Sequence, residues 1–314
     1  MRILVFGAGV VGTVYAWQLH EAGADVSLLV KKKRLVRYSH SGVPISFTDM
    51  RNEKKAIGQA VFRPQTTDRI DPAERYDLII ICVRNNQLPD VIPYIAKQAP
   101  ESHLLFLGSI FDEVKMMRKF MPPDRFSLGF PDFLYGKNTD NGINCFLFKK
   151  ANTVLGTPAG KSNPMLQKAA AIMDAAGLQP KIIRNMPDWQ ACRYLKSAII
   201  PALVSKAGNA TLFGESKHLI RQYIMALKEG QKLCPKKVKG KLGISPFNLF
   251  YLPSFLIPFF LRRTLTTEQM AAWDTQQKHA AEEKKYMYYK VLNAAKRLKK
   301  PMPYWASFEK YMDF

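Results

Sequence analysis

The chain has 314 residues, 47% of them hydrophobic, enough for two domains with sizeable cores and too many for wholesale disorder. Against 25 acidic residues stand 47 lysines and arginines, a formal net charge of +22, which favours anionic partners such as a phosphorylated cofactor, acidic lipid or nucleic acid. Four cysteines, Cys82, Cys145, Cys192 and Cys234, lie far apart with no C-x-x-C pair, so neither a metal site nor a disulfide framework is expected and the compartment reads as cytoplasmic.

Ile3 to Phe6 predicts a short buried strand, with no signal-like segment before it. Gly7-Ala8-Gly9-Val10-Val11-Gly12 follows, then a helix over Val11 to Ala22 that Gly23 ends, then a second strand over Val26 to Val30. That strand runs into Lys31, Lys32, Lys33 and Arg34. Further on, DLIIICV is an apolar β-branched run of the kind a central parallel strand needs. Leu88 to Gln98 predicts a helix made irregular by two prolines, and HLLFLG another strand. This alternation implies an α/β fold, a right-handed, doubly wound parallel sheet. FSLGFP, INCFLF and NTVLG then predict further strands, with the polar turn GKNTDNG among them. After about Asp188 the strand signals stop and long helical patterns take over. The expected division is a nucleotide-binding domain over residues 1–187 and an all-helical domain for substrate and dimerisation over 188–314.

SPFNLFYLPSFLIPFFLRR interrupts the helical half. Pro253 and Pro258 break it and it is too short to span a membrane. Lys236, Lys237, Lys239 and Lys241 before it, and Arg262 and Arg263 after it, suit an anionic lipid surface. Packing in the core or at a dimer interface is the preferred expectation. No DNA- or RNA-binding motif accompanies the positive charge, so nucleic acid is not expected as a partner.

The glycine motif has the context its mechanism requires: a strand before it, a helix after it, and a second strand within about thirty residues. Gly7 permits a tight turn, Gly9 lets a pyrophosphate approach the backbone, and Gly12 lets helix and strand pack closely. The amides of Val10 and Val11 open a helix N-terminus that favours negative charge. An NAD-specific site would end the second strand in a carboxylate for the ribose 2′-hydroxyl. Here cations stand in its place, which suits a 2′-phosphate and hence NADP, with Lys31 the first candidate.

With these residues in view, the sequence resembles the ketopantoate reductase (2-dehydropantoate 2-reductase) family over nearly its whole length. The resemblance rests on GAGVVG, the cationic strand end, VRNNQ after DLIIIC, VLGTPAG, the basic helix around WQACRYLK, and EEKKYMYYKVLNAAKRLKKPMP. It implies a Rossmann domain, a helical domain, and hydride transfer from NADPH to a 2-keto acid. It further implies that Arg84, in place of the family's lysine, and Gln87 lie on the cofactor side. The general acid is then Lys196, where the family's W-x-K becomes Tyr194-Leu195-Lys196. An alternative register aligns Trp189 with the family's tryptophan. Counting back from Pro303 makes Glu283 the acidic partner, with Tyr286 three residues later. The competing reading of Glu282 and Glu283 is simple pairing with nearby lysines on a solvated face.

Several positions depart from the family pattern. Its asparagines four and eight residues after the lysine are Ile200 and Val204 here, its asparagine after the strand corresponding to HLLFLG falls in Leu107-Gly108-Ser109, and a substrate-holding serine corresponds to Ala271. Aliphatic groups there would leave the polar atoms of a small acid unpaired. The expectation is an NADPH-dependent reductase of a bulkier or more hydrophobic carbonyl compound than ketopantoate. The alternative is a redox-inactive NADP-binding sensor.

Overall fold

The computed structural model describes residues 1–139, 141–148, 152–234, 244, 247–250, 252–253, 255–264 and 280–313. The chain divides into two compact units. One comprises Met1–Gly108 and Asp112–Met186; the other comprises Ser109–Phe111 and Pro187–Phe314.

The first unit is built on an eight-stranded sheet. Its strands are β1 (Arg2–Phe6), β2 (Asp25–Leu29), β5 (Gln65–Thr67), β6 (Leu78–Ile81), β7 (His103–Leu107), β8 (Phe126–Pro131), β11 (Thr153–Gly156) and β12 (Pro180–Ile182). They run in the order β12-β11-β8-β7-β6-β1-β2-β5. Neighbours pair in parallel except β8 with β11. Strands such as β6 (LIII) and β7 (HLLFL) are buried along their whole length. This is why they are continuous apolar runs: helices cover both faces of a parallel sheet. These helices include α1 (Val10–Glu21), α2 (Lys32–Ser41), α3 (Leu88–Gln98), α4 (Val114–Phe120) and α5 (Pro164–Ala175). Between β1 and β6 the strand order reverses, the position where doubly wound sheets open a crevice at the carboxyl ends of their strands.

A second sheet, which local sequence patterns do not announce, is formed by β3 (Val43–Met50), β4 (Ala56–Phe62), β9 (Leu134–Thr139) and β10 (Gly142–Phe148) in the order β4-β3-β10-β9. INCFLF therefore leaves the main sheet, whereas FSLGFP and NTVLG stay in it. The reason lies in its alternation: Ile143, Cys145 and Leu147 are buried while Asn144, Phe146 and Phe148 are half-buried, so only one face meets the core. Helix α1 touches this second sheet as well as the first. Trp17 packs on Phe47, with ring centroids 5.4 Å apart, and Val14, Tyr15 and Ala16 are fully buried. The Tyr15 hydroxyl donates to Thr153 Oγ1 (2.5 Å), which itself donates to the Leu178 carbonyl (2.6 Å). Burial pushes the Tyr15 phenol well above its ordinary pKa. Arg51, just after β3, holds Asp49 (2.7 Å) and also donates to the Gly177 carbonyl (2.8 Å) and Gln18 Oε1 (3.0 Å).

The second unit is helical in its described residues: α6 (Met186–Ala207), α7 (Ala210–Glu215), α8 (Lys217–Gln231), α9 (Ile257–Thr264), then Ala281–Arg297 and Pro303–Ala306. Asn209 and Ser216 cap α7 and α8 by accepting from the backbone amides of Leu212 (2.8 Å) and Leu219 (3.2 Å). Buried Glu229 caps the helix Pro303–Ala306, accepting from the amides of Tyr304 (3.1 Å) and Trp305 (2.9 Å). Gly230 lets α8 press on α6, since a Cβ there would stand 2.7 Å from Leu195 Cδ2. The segment Ser109–Phe111 joins this unit through its Ile110 amide, which donates to Gln190 Oε1 (2.6 Å), and through Phe111, which stacks on Tyr194. Ala271, Lys236, Lys237, Lys239, Lys241 and the predicted helix through 265–279 lie outside the described residues. No described helix is long and apolar enough to cross a membrane.

Candidate nucleotide site and catalytic helices

The glycine turn leaves β1 at the switch point. Gly7 has φ +115°, and a Cβ there would meet the Cys82 carbonyl oxygen at 2.5 Å. A Cβ at Gly12 would meet the Gly7 carbonyl oxygen at 1.9 Å. Both residues are glycine because backbone occupies the space a side chain would need. Gly9 is different. It precedes α1 in an extended conformation, φ −87° and ψ −172°, and a Cβ there would touch nothing within 4 Å. The protein itself does not demand glycine at position 9. The first bond of α1 is Thr13 N–H to the Gly9 carbonyl (2.9 Å), so the amides of Val10, Val11 and Gly12 have no acceptor inside the helix. Open space before three such amides fits an anionic oxygen group.

Beside this turn, Lys31 is the exposed residue before α2, and Lys32 and Lys33 are exposed too. Arg34 is half-buried and turns back toward the glycines. Its Nη1 lies 3.4 Å from the Ala8 carbonyl oxygen and 3.4 Å from the Tyr38 hydroxyl, with the guanidinium 5.9 Å from the Tyr38 ring centre. The sequence puts Lys31 first. The structure adds Arg34, one helical turn on, as the cation in contact with the turn.

On the other side of the switch point, VRNNQ forms the loop after β6. Gln87 Oε1 accepts the Arg84 amide (3.1 Å), which commits its oxygen to the loop; Arg84 itself is exposed. Asn85 is buried and donates to Glu113 Oε1 (3.1 Å), while Glu113 Oε2 accepts the Asp112 amide (3.1 Å). Asn86 Oδ1 is buried without a hydrogen-bond partner. Burial of an unpaired amide oxygen is costly, which marks this loop as one that a ligand would complete. Sequence reasoning misses Asn86, although it stands between the two residues of the loop that the resemblance singles out.

The two residues expected to act on the substrate lie in the second unit. Lys196 is half-buried on α6, with buried Cys192 and Ile200 one turn to either side. Ile200 is 8% exposed and Val204 1%, so aliphatic side chains fill the positions expected to carry amides. Glu283 is half-buried near the start of the helix Ala281–Arg297. Its neighbour Lys284, considered from the sequence only as a charge partner, has its pKa pushed down to about 8 by burial, against the opposing pull of the Glu283 charge.

Comparison with known proteins agrees with this architecture. Residues 3–135 match the family model described as ketopantoate reductase PanE/ApbA. Among solved structures, the chain is similar to a putative ketopantoate reductase from Ralstonia solanacearum, with 15% identity and a TM-score of 0.74, covering 99% of this chain and 96% of that one. It is similar to D-mandelate dehydrogenase in a ternary structure with NADH and anilino(oxo)acetate, with 15% identity, a TM-score of 0.73 and coverage of 99% and 97%. It is likewise similar to 2-dehydropantoate 2-reductase from Methylococcus capsulatus, with 17% identity, a TM-score of 0.69 and coverage of 99% and 96%. At such identities the structural likeness speaks for the fold. The glycine turn and the VRNNQ loop both lie inside the residues that match the ketopantoate reductase family model.

Proposed function

We propose that the chain is an NADPH-dependent oxidoreductase that reduces a hydrophobic 2-oxo acid or related carbonyl compound, other than ketopantoate, to the hydroxy compound. The observation that carries this reading is the unfilled space at Gly9, at the switch point, with Arg34 beside it. The amides of Val10, Val11 and Gly12 would hold the pyrophosphate. Lys31 and Arg34 would hold the 2′-phosphate, where a carboxylate would repel it. Gln87 keeps its amide N–H groups for the ligand because its oxygen is already bound to the Arg84 amide. Bound NADPH supplies the hydride. The ammonium of Lys196 would stabilise negative charge developing on the substrate carbonyl oxygen and pass its proton to it. Glu283 would help orient the substrate. Ile200 and Val204 in place of amides support an apolar substrate. The similar fold of a D-mandelate dehydrogenase with anilino(oxo)acetate supports an aromatic or branched 2-oxo acid.

Titration with NADPH and NADH, followed by NADPH consumption across a panel of 2-oxo acids that includes ketopantoate, tests this. One charge-assisted phosphate contact is worth about 1.5–3 kcal/mol, so NADPH should bind roughly ten- to a hundredfold more tightly than NADH. Arg34→Ala and Lys31→Ala should each reduce that preference. Lys196→Ala should lower turnover roughly 10²–10⁴-fold while leaving NADPH affinity unchanged. Tight NADPH binding with no turnover of any carbonyl would favour a sensor, and efficient ketopantoate reduction would refute the substrate assignment.

A further inference from the structure

The apolar segment that interrupts the helical half is divided by the structure into an anchored side and an exposed side. Phe247 is 1% exposed, and on α9 Ile257 is fully buried and Leu261 is 2% exposed, so these residues fasten the segment to its unit. Phe255, Phe259 and Phe260 face outward at 73%, 59% and 39% exposure, the last two packed edge to face with ring centres 5.5 Å apart. Single exposed hydrophobes need no explanation, but three phenylalanines within six residues form a patch that soluble surfaces normally avoid. The sequence that flanks it is one-sided in charge. From Lys232 to Arg263 the sequence carries seven lysines and arginines and no aspartate or glutamate, although acidic residues number more than half the basic ones in the whole chain.

We propose that Phe255–Phe260 is a docking surface for an anionic lipid bilayer, with the aromatic rings entering the headgroup boundary and the flanking cations meeting the negative headgroups. Charge complementarity selects this occupant over a second copy of the chain. A two-fold contact through the patch would bring the same cation-rich, carboxylate-free segment against itself, in a molecule already carrying a net charge of +22. A bilayer rich in anionic lipid supplies both the apolar interior and the opposite charge. On the proposed function, a reductase held at such a surface would meet amphiphilic carbonyl compounds where they partition.

The test is co-sedimentation of the full chain with phosphatidylcholine vesicles that contain or lack phosphatidylglycerol, at low and high salt. The expected result is partitioning about tenfold or more stronger with the anionic lipid, weakened by salt. Phe255→Ser/Phe259→Ser/Phe260→Ser should reduce it about tenfold or more. Arg262→Gln/Arg263→Gln should reduce it by a smaller factor. A Phe259→Trp variant probed with brominated lipid gives a readout that does not depend on the triple variant folding: its fluorescence should be quenched by anionic brominated vesicles. Failure to bind anionic vesicles would overturn the proposal. Binding unchanged in the triple serine variant, or an absence of quenching in the Phe259→Trp variant, would reduce the effect to nonspecific charge adsorption and also overturn it. A dimer seen by light scattering that the triple variant dissolves would assign the patch to a second copy.

Discussion

Replacing Gly9 and Gly12 separately by alanine should damage different properties of the protein. At Gly9 the backbone is extended, which any residue adopts, and the added methyl meets nothing within 4 Å. The lower entropy of the unfolded alanine chain, worth about 0.4–1 kcal/mol, offsets alanine's inferiority as a residue preceding a helix. Gly9→Ala should therefore fold with nearly wild-type stability. If a pyrophosphate fills that space, the methyl stands between it and the amides of Val10, Val11 and Gly12. Losing one hydrogen bond to a charged oxygen costs about 1.5–3 kcal/mol, so NADPH affinity should fall roughly 10- to 150-fold. At Gly12 the added atom would lie 1.9 Å from the Gly7 carbonyl oxygen and 3.2 Å from Cys82 Cβ, both within the protein. Gly12→Ala should lower the unfolding free energy by about 1–3 kcal/mol whether or not cofactor is present. Urea unfolding of both variants, paired with calorimetric titration of NADPH, separates the two effects. A folded Gly9→Ala protein that binds NADPH like wild type would refute the assignment of that space to the cofactor. A Gly12→Ala protein as stable as wild type would refute the packing argument.

Three further outcomes concern the buried polar groups. Thr153→Val removes the hydroxyl linking Tyr15 to the Leu178 carbonyl and should cost roughly 1–3 kcal/mol in urea unfolding; an unchanged midpoint would show that the link contributes nothing. Glu229→Ala leaves the Tyr304 and Trp305 amides without their acceptor and should cost roughly 2–4 kcal/mol, with Glu229→Gln recovering part of it; equal losses in both variants would argue against a capping role. Burial holds the imidazole of His103, hydrogen-bonded to Ser127 Oγ at 2.9 Å, down to about pKa 4 against an ordinary 6.5. Between those values the unfolded chain binds more protons, so stability should fall as pH drops from 6.5 to 4, by at most about 1.4 kcal/mol per pH unit. His103→Gln should flatten that part of the stability–pH curve, and an unchanged slope would remove His103 as its cause.

Features that depend on a few neighbouring residues were legible in the sequence. The core strands of the main sheet could be read because a strand covered on both faces is apolar at every position, as in Leu78–Ile81. The glycine turn could be read because its G-x-G-x-x-G spacing falls directly between a strand and a helix. The helical second half could be read from α6 and α8, each a long run without strand-like alternation. By itself the sequence thus determined the fold class, the place of the glycine turn, and the cations that follow the second strand.

Tertiary structure decided what depends on distant pairing or on side-chain direction. The second sheet joins Ile45 to Ile143 in parallel, a contact between segments far apart in the chain, and its edge strand β4 leaves Ile57 and Val61 exposed, which blurs the signal. Arg34 meets the glycine turn because α2 starts at Lys32. The residue before a helix stays extended and exposed, whereas one a turn later can fold back on the preceding loop. The buried Asn86 oxygen arises only once Asn85 is fixed by Glu113, a residue beyond the next strand. The same applies to the apolar segment: in sequence, Phe255, Phe259 and Phe260 have the same character as Ile257 and Leu261. Which of them faces the core depends on where the remaining helices leave room, and hydrophobicity alone carries no direction.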